Sequence, residues 1–164
     1  MPRAKARTPR PARPAPPPMP LLATLEQTHR NILHQLAQMT DLIDHLDTQG
    51  LDEHARGLAR EACSFFNDTV QPHHAAEERT VFPALLASGD AELVQHVQRL
   101  QQDHGWLEED WLEMAPHLQA IAQDQNWYDP DLLRAAIPVF TQLCYEHIAL
   151  EESLVYPASL KLRG

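Results

Sequence analysis

Glycine occurs five times in 164 residues, cysteine twice, and aromatic residues make up only 6% of the chain. β-Branched residues are sparse beside Leu, Ala, Gln and Glu, so there is little from which to build strands, and the balance favours helix. Two cysteines make no disulfide framework. Cys63 and Cys144 read as reduced thiols packed in a core, which fits a cytoplasmic protein. No run of about 18 apolar residues occurs, which argues against a membrane-spanning helix. Basic charge is also short: 13 Lys and Arg stand against 23 Asp and Glu, for a net charge of −10.

The basic residues that exist are unevenly placed. Residues 1–20, MPRAKARTPRPARPAPPPMP, hold eight of the fourteen prolines and five basic residues with no acid. Such a stretch cannot bury a core, and its composition predicts a disordered, polyproline-leaning tail. It has no apolar segment of about 7–15 residues such as a secretory signal carries. Taking its five positive charges from the total leaves −15 on residues 21–164. A surface that acidic repels phosphate backbones, so no nucleic acid is expected on the folded part. Monomer and homodimer both remain open.

Residues 21–164 are predicted to form one all-α domain. Four stretches place apolar residues at helical spacing. The first runs from about Leu21 to Leu46, and Gly50 ends it. The second runs from about Asp52 to Leu86, with Leu58, Ala62, Phe66, Val70, Val81 and Leu85 on its stripe, and Ser88-Gly89-Asp90 breaks the chain again. The third runs from about Ala91 to Ile121, with Asp90 as its N-cap. The fourth follows the loop at Asn126 to Pro130, with Asp131 as candidate cap and Leu133, Ala136, Phe140, Leu143, Leu150 and Leu154 inward. Pro72, Pro116 and Pro138 should each kink or interrupt a helix. Short connections between four long amphipathic helices predict an antiparallel up-down four-helix bundle.

Each apolar stripe contains one histidine. His29 lies between Leu25 and Ile32, His73 between Val70 and Glu77, His104 between Leu100 and Leu107, and His147 between Leu143 and Leu150. In an up-down bundle His73 and His104 stand about fourteen residues on either side of one turn, or roughly 20 Å from the same end at ~1.5 Å per residue. The four imidazoles are therefore expected in a single layer.

The chain also writes one motif twice. HHAAEERTVFP at residues 73–83 and HIALEESLVYP at residues 147–157 align His73 with His147, Glu77 with Glu151, Glu78 with Glu152, Phe82 with Tyr156 and Pro83 with Pro157. Residues i and i+4 share a helix face, so each His-x-x-x-Glu pair points inward together. Two carboxylates facing each other in a dry core repel strongly, and a pair of metal ions between them would compensate. Imidazole and carboxylate donors without thiolate suit iron, manganese or zinc. The candidate ligands are His29, His73, Glu77, His104, His147 and Glu151. His74 is turned about 100° from its neighbour, and Glu78 and Glu152 are expected outside the ligand set. His34, His45, His54, His96 and His117 have no matched partners and are assigned to solvated faces. Cys63 and Cys144 differ by about seven residues in their offset from the layer, roughly 10 Å of rise, too far for a bridge.

Those residues resemble the hemerythrin-like (HHE) domain over about residues 21–160. The likeness is carried by His29 in THRNI, His73 and Glu77 in HHAAEERTVFP, His104 in QDHGWLEE, and His147 and Glu151 in EHIALEESLVYP. A ferritin-like pattern would need Glu-x-x-His in two helices, and only Glu26 to His29 offers one. The resemblance implies two non-haem iron ions, each held by histidines from two helices and bridged by Glu77 and Glu151. It implies reaction with oxygen, nitric oxide or an oxidant in a sensing, redox or iron-handling role. Alternatives are iron–sulfur centre repair, peroxide or nitric oxide consumption, and an iron store or interaction module. Oxygen carriers of the family place a further histidine four residues after that of the third helix. Here that residue is Glu108, which becomes a candidate seventh ligand. The departure resembles the repair and sensor branch more than the carriers. No separate acid–base pair or reactive cysteine is visible, so any turnover would take place at the metals.

Overall fold

The computed structural model describes residues 12–162. Helix α1 is Met19–Gln49, α2 spans residues 53–86, α3 is Ala91–Ala122 and α4 spans residues 130–161. Among the described residues there is no strand, and no helix is long and apolar enough to cross a membrane. The first eleven residues of the predicted tail lie outside the described residues. Residues 12–18 have no regular structure, and α1 starts two residues inside the predicted tail, with Pro20 in its first turn. There the missing N–H removes no helical hydrogen bond.

Local chemistry fixes the ends. Gly50, at φ 80°, closes α1 and returns its N–H to Leu46 O at 3.2 Å. Asp52 caps α2 by accepting from Ala55 N at 2.9 Å, and Asp90 caps α3 through Glu92 N and Leu93 N, each at 3.1 Å. The fourth cap is Asp129, not Asp131: Asp129 Oδ1 accepts from Asp131 N at 2.9 Å and Leu132 N at 3.2 Å. Pro130 decides this, because its fixed φ suits the first helical position and makes the residue before it the cap.

Pro72 follows a local interruption of its helix, as expected, whereas Pro116 and Pro138 interrupt nothing. Pro116 and Pro138 sit inside unbroken helical spans. Both are exposed, as are Leu112 and Arg134 four residues before them, so the carbonyls they deprive face water. Instead, α2 and α4 contain three wide π-helical turns, Phe66–Val70, Glu77–Val81 and Glu151–Val155. Each ends two residues before a proline: Pro72, Pro83 and Pro157. A proline ring collides with the carbonyl four residues back, and one extra residue in the preceding turn relieves that collision. The extra residue also advances the inward face. Leu154, expected inside, is 47% exposed, whereas Val155 and Tyr156 are buried, as are Val81 and Phe82 in α2.

The apolar core is split in two. One cluster contains Ile32, Leu36, Ala62, Phe66, Leu107, Trp111, Phe140 and Ile148. The other contains Leu22, Leu25, Val81, Phe82, Leu100, Val155 and Tyr156. Along α1 and α3 the second cluster comes first, and along α2 and α4 it comes last. His29, His73, His104 and His147 fall at the crossover in each helix, so a polar layer separates two apolar ones.

Candidate metal centre

All six predicted ligands meet in this layer. His29, His73, His104, His147, Glu77 and Glu151 are each at most 6% exposed, and both glutamates are fully buried. His73 Nε2 lies 3.3 Å from Glu77 Oε1, one helical turn on, and His147 Nε2 lies 2.5 Å from Glu151 Oε1. His104 Nε2 approaches Glu77 Oε2 at 3.1 Å. His29 Nε2 is 3.7 Å from Glu77 Oε1 and 3.9 Å from Glu151 Oε1. Each repeat therefore supplies one imidazole and one carboxylate, and the lone histidines of α1 and α3 close the ring.

The remaining carboxylates of the repeats reach across to neighbouring helices. Glu152 Oε1 lies 2.9 Å from His29 Nδ1, and Glu78 Oε1 lies 2.8 Å from His104 Nδ1. Asp103 Oδ2 lies 3.4 Å from His147 Nδ1. Facing a carboxylate, Nδ1 carries the proton, which leaves the Nε2 lone pair directed into the layer. Of the four, His73 Nδ1 has no such partner among the described residues. The Tyr156 hydroxyl enters from below, donating to Glu77 Oε1 and lying 3.3 Å from His29 Nε2.

Electrostatics set the two glutamates apart. Burial pushes both carboxyls up. For Glu77 the contacts with Glu151, His104 and His29 outweigh burial and hold it well below the ordinary value. For Glu151 the charge on Glu77 adds to burial and drives it well above. Two carboxylates this close share one proton unless a cation replaces it. Burial lowers His73 to about 4 and His74 to about 2, so both are neutral imidazoles able to donate a lone pair.

Hydrogen bonding tests whether a cation fits. Although they lie close to one another, Nε2 of His104 and of His147, Oε2 of Glu77 and both Oε atoms of Glu151 are buried and make no well-aligned hydrogen bond with any described residue. Unpartnered buried polar atoms are costly, and here they converge. His29, His73 and Glu77 form one group with donor atoms within 4.8 Å of one another, and Glu77, His104, His147 and Glu151 form a second. Glu77 belongs to both. The donors present suit metal-ion binding.

Glu108 is not brought to this layer. Its side chain is exposed and accepts from Gln71 Nε2 at 2.8 Å, tying α3 to α2 at the surface. Sequence reasoning missed Asp103 and Tyr156 as contributors. Tyr156 had a signal, since it shares the repeat position of Phe82 beside the layer, but Asp103 had none. His45, His96 and His117 are half-buried rather than fully solvated. Cys63 and Cys144 are buried and unbridged; burial pushes their thiols up to about 11 and about 12.

A cavity of about 470 Å³ reaches the layer between α2 and α3. Its apolar wall includes Phe66, Leu107, Trp111 and Phe140, with Phe66 stacked on Trp111 at 4.8 Å. Trp111 Nε1 donates to Asn67 Oδ1 at 2.8 Å, fixing the indole. No curated protein and no solved structure matches the chain significantly. A family model described as the Hemerythrin HHE cation binding domain matches residues 21–159.

Proposed function

Because the chain belongs to the hemerythrin HHE cation-binding domain family, we propose that its polar layer holds two non-haem iron ions and serves a redox, sensing or iron-handling role with oxygen, nitric oxide or another oxidant. Manganese and zinc suit the same donors. The observation that carries this reading is the convergence of unpartnered Nε2 and carboxylate oxygens in the group of Glu77, His104, His147 and Glu151, beside a second donor group, His29 and His73, that shares Glu77. His29 and His73 would hold one ion and His104 and His147 the other, with Glu77 and Glu151 between them. The alternating order of the two core clusters along successive helices supports an antiparallel up-down arrangement, with the repeats of α2 and α4 running the same way.

Bound iron supplies one-electron chemistry and a position for a small ligand. The chain's own residues prepare the layer for it. Glu152, Glu78 and Asp103 hold Nδ1–H of three histidines, which raises the basicity of the inward nitrogens and favours the more highly charged metal state. The Tyr156 hydroxyl offers a hydrogen-bond donor at the edge of the site, and burial beside Glu151 and Glu77 keeps it protonated. Phe66, Trp111 and Phe140 keep the approach apolar, so a small uncharged ligand enters more readily than an ion. Buried free thiols at Cys63 and Cys144 support a reducing, cytoplasmic setting.

Oxygen exposure tests this reading. Ferrous protein prepared without oxygen should develop near-ultraviolet and visible absorption when air is admitted, and the bands should persist after degassing. Bands that vanish on degassing would instead identify a reversible oxygen carrier. Zinc-loaded protein should show neither.

A further inference from the structure

His74 is unlike the other half-buried histidines. His45 has Asp52 at 2.8 Å, His117 accepts from Asp129 N at 2.9 Å, and His96 has Glu92 at 3.8 Å. His74 makes no hydrogen bond or ion pair with any described residue, although most of its surface is covered. It lies against the layer. Its ring stacks on that of His104 at 3.9 Å with 13° between planes, and it stands 5.9 Å from His147. Donor atoms of His74, His104 and His147 all lie within 4.8 Å of one another.

Resting on the two-ion reading, we propose that His74 is a fifth imidazole ligand, directed to the ion held by His104 and His147. Consecutive residues of a helix diverge by about 100°. One helix can therefore serve two adjacent ions, with His73 turned towards His29, 4.9 Å away, and His74 towards the donor atoms of His104 and His147, its ring tilting out of the parallel stack so that its in-plane lone pair meets theirs. The layer has a reason to recruit it. Glu108, one turn beyond His104, is engaged with Gln71 at the surface and adds nothing to the ion beneath it. His74 fills that place from the neighbouring helix. The two ions then differ: one has His29, His73 and the glutamates, with Tyr156 alongside, and the other has three histidines and the glutamates.

Cobalt(II) in the full-length chain provides the test, because each bound imidazole gives its own hyperfine-shifted set of ring resonances. With histidine carrying 13C, the wild-type protein should bind two cobalt ions and show five such sets. His74→Gln, close in size, should show four and release one cobalt at least tenfold more readily, and His74→Ala should agree. His34→Ala, at an exposed site, should match the wild type. Four sets in the wild type, unchanged in His74→Gln with both ions retained, would overturn the assignment while leaving the two-ion centre intact. Fewer than two cobalt ions in the wild type would overturn the two-ion reading itself, and this inference with it.

Discussion

His147 contributes Nε2 to the layer while Asp103 faces its Nδ1, so its replacement removes a donor and leaves a buried carboxylate without a partner. His147→Ala should lose about one equivalent of metal, measured by elemental analysis after desalting. Glu152→Gln keeps the shape of the residue beside His29 but removes the charge that orients it. Metal affinity should fall about 10–100-fold while the helix content is unchanged. At this scale much was legible. His73, Glu77, His147 and Glu151 follow from one rule, that residues four apart on a helix share a face, applied to a motif written twice, and His29 and His104 follow from their places in the apolar stripes of α1 and α3. What escaped were contacts between helices. Asp103 adjoins His104 in the chain yet faces His147, and no spacing within one helix announces that.

The helices themselves were visible in their apolar rhythm, and most of their ends in Gly50, Asp52 and Asp90. The π turns were not, because a periodic pattern does not reveal one extra residue. Their trace in the sequence was Pro72, which was expected to interrupt its helix, and Pro83 and Pro157, which belonged to the repeat but were not read as causes. The consequence is measurable in α4. A regular helix would carry Leu154 inward, whereas the wide turn at Glu151–Val155 exposes it and buries Val155. Leu154→Ala should change unfolding free energy by less than about 0.5 kcal/mol. Val155→Ala should cost roughly 1.5–3 kcal/mol. Chemical denaturation of the two variants separates these cases, and the reverse order would mean that α4 keeps a regular register through the repeat.

At the scale of the described residues, an acidic domain surrounds an apolar core that the histidine layer divides into two clusters. Arg134 joins Asp47 of α1 to α4 at 2.5 Å, and its guanidinium holds the Asp47 carboxyl below the ordinary value. A depressed carboxyl stabilises the fold above its unfolded pKa and loses that contribution as pH falls through its folded value. Thermal stability should therefore drop below about pH 4, and Asp47→Asn should flatten the drop; an identical acid profile would show that this pair contributes nothing. Removing residues 1–18 should leave helicity and metal content unchanged, since every residue of the layer lies beyond them.

Two cations in one buried layer are the central proposal. Anaerobic loading with ferrous iron, followed by removal of excess and a count of iron per chain, tests that most directly. The proposal predicts two irons per chain, falling to about one in His147→Ala. One iron or none in the wild-type protein would contradict it.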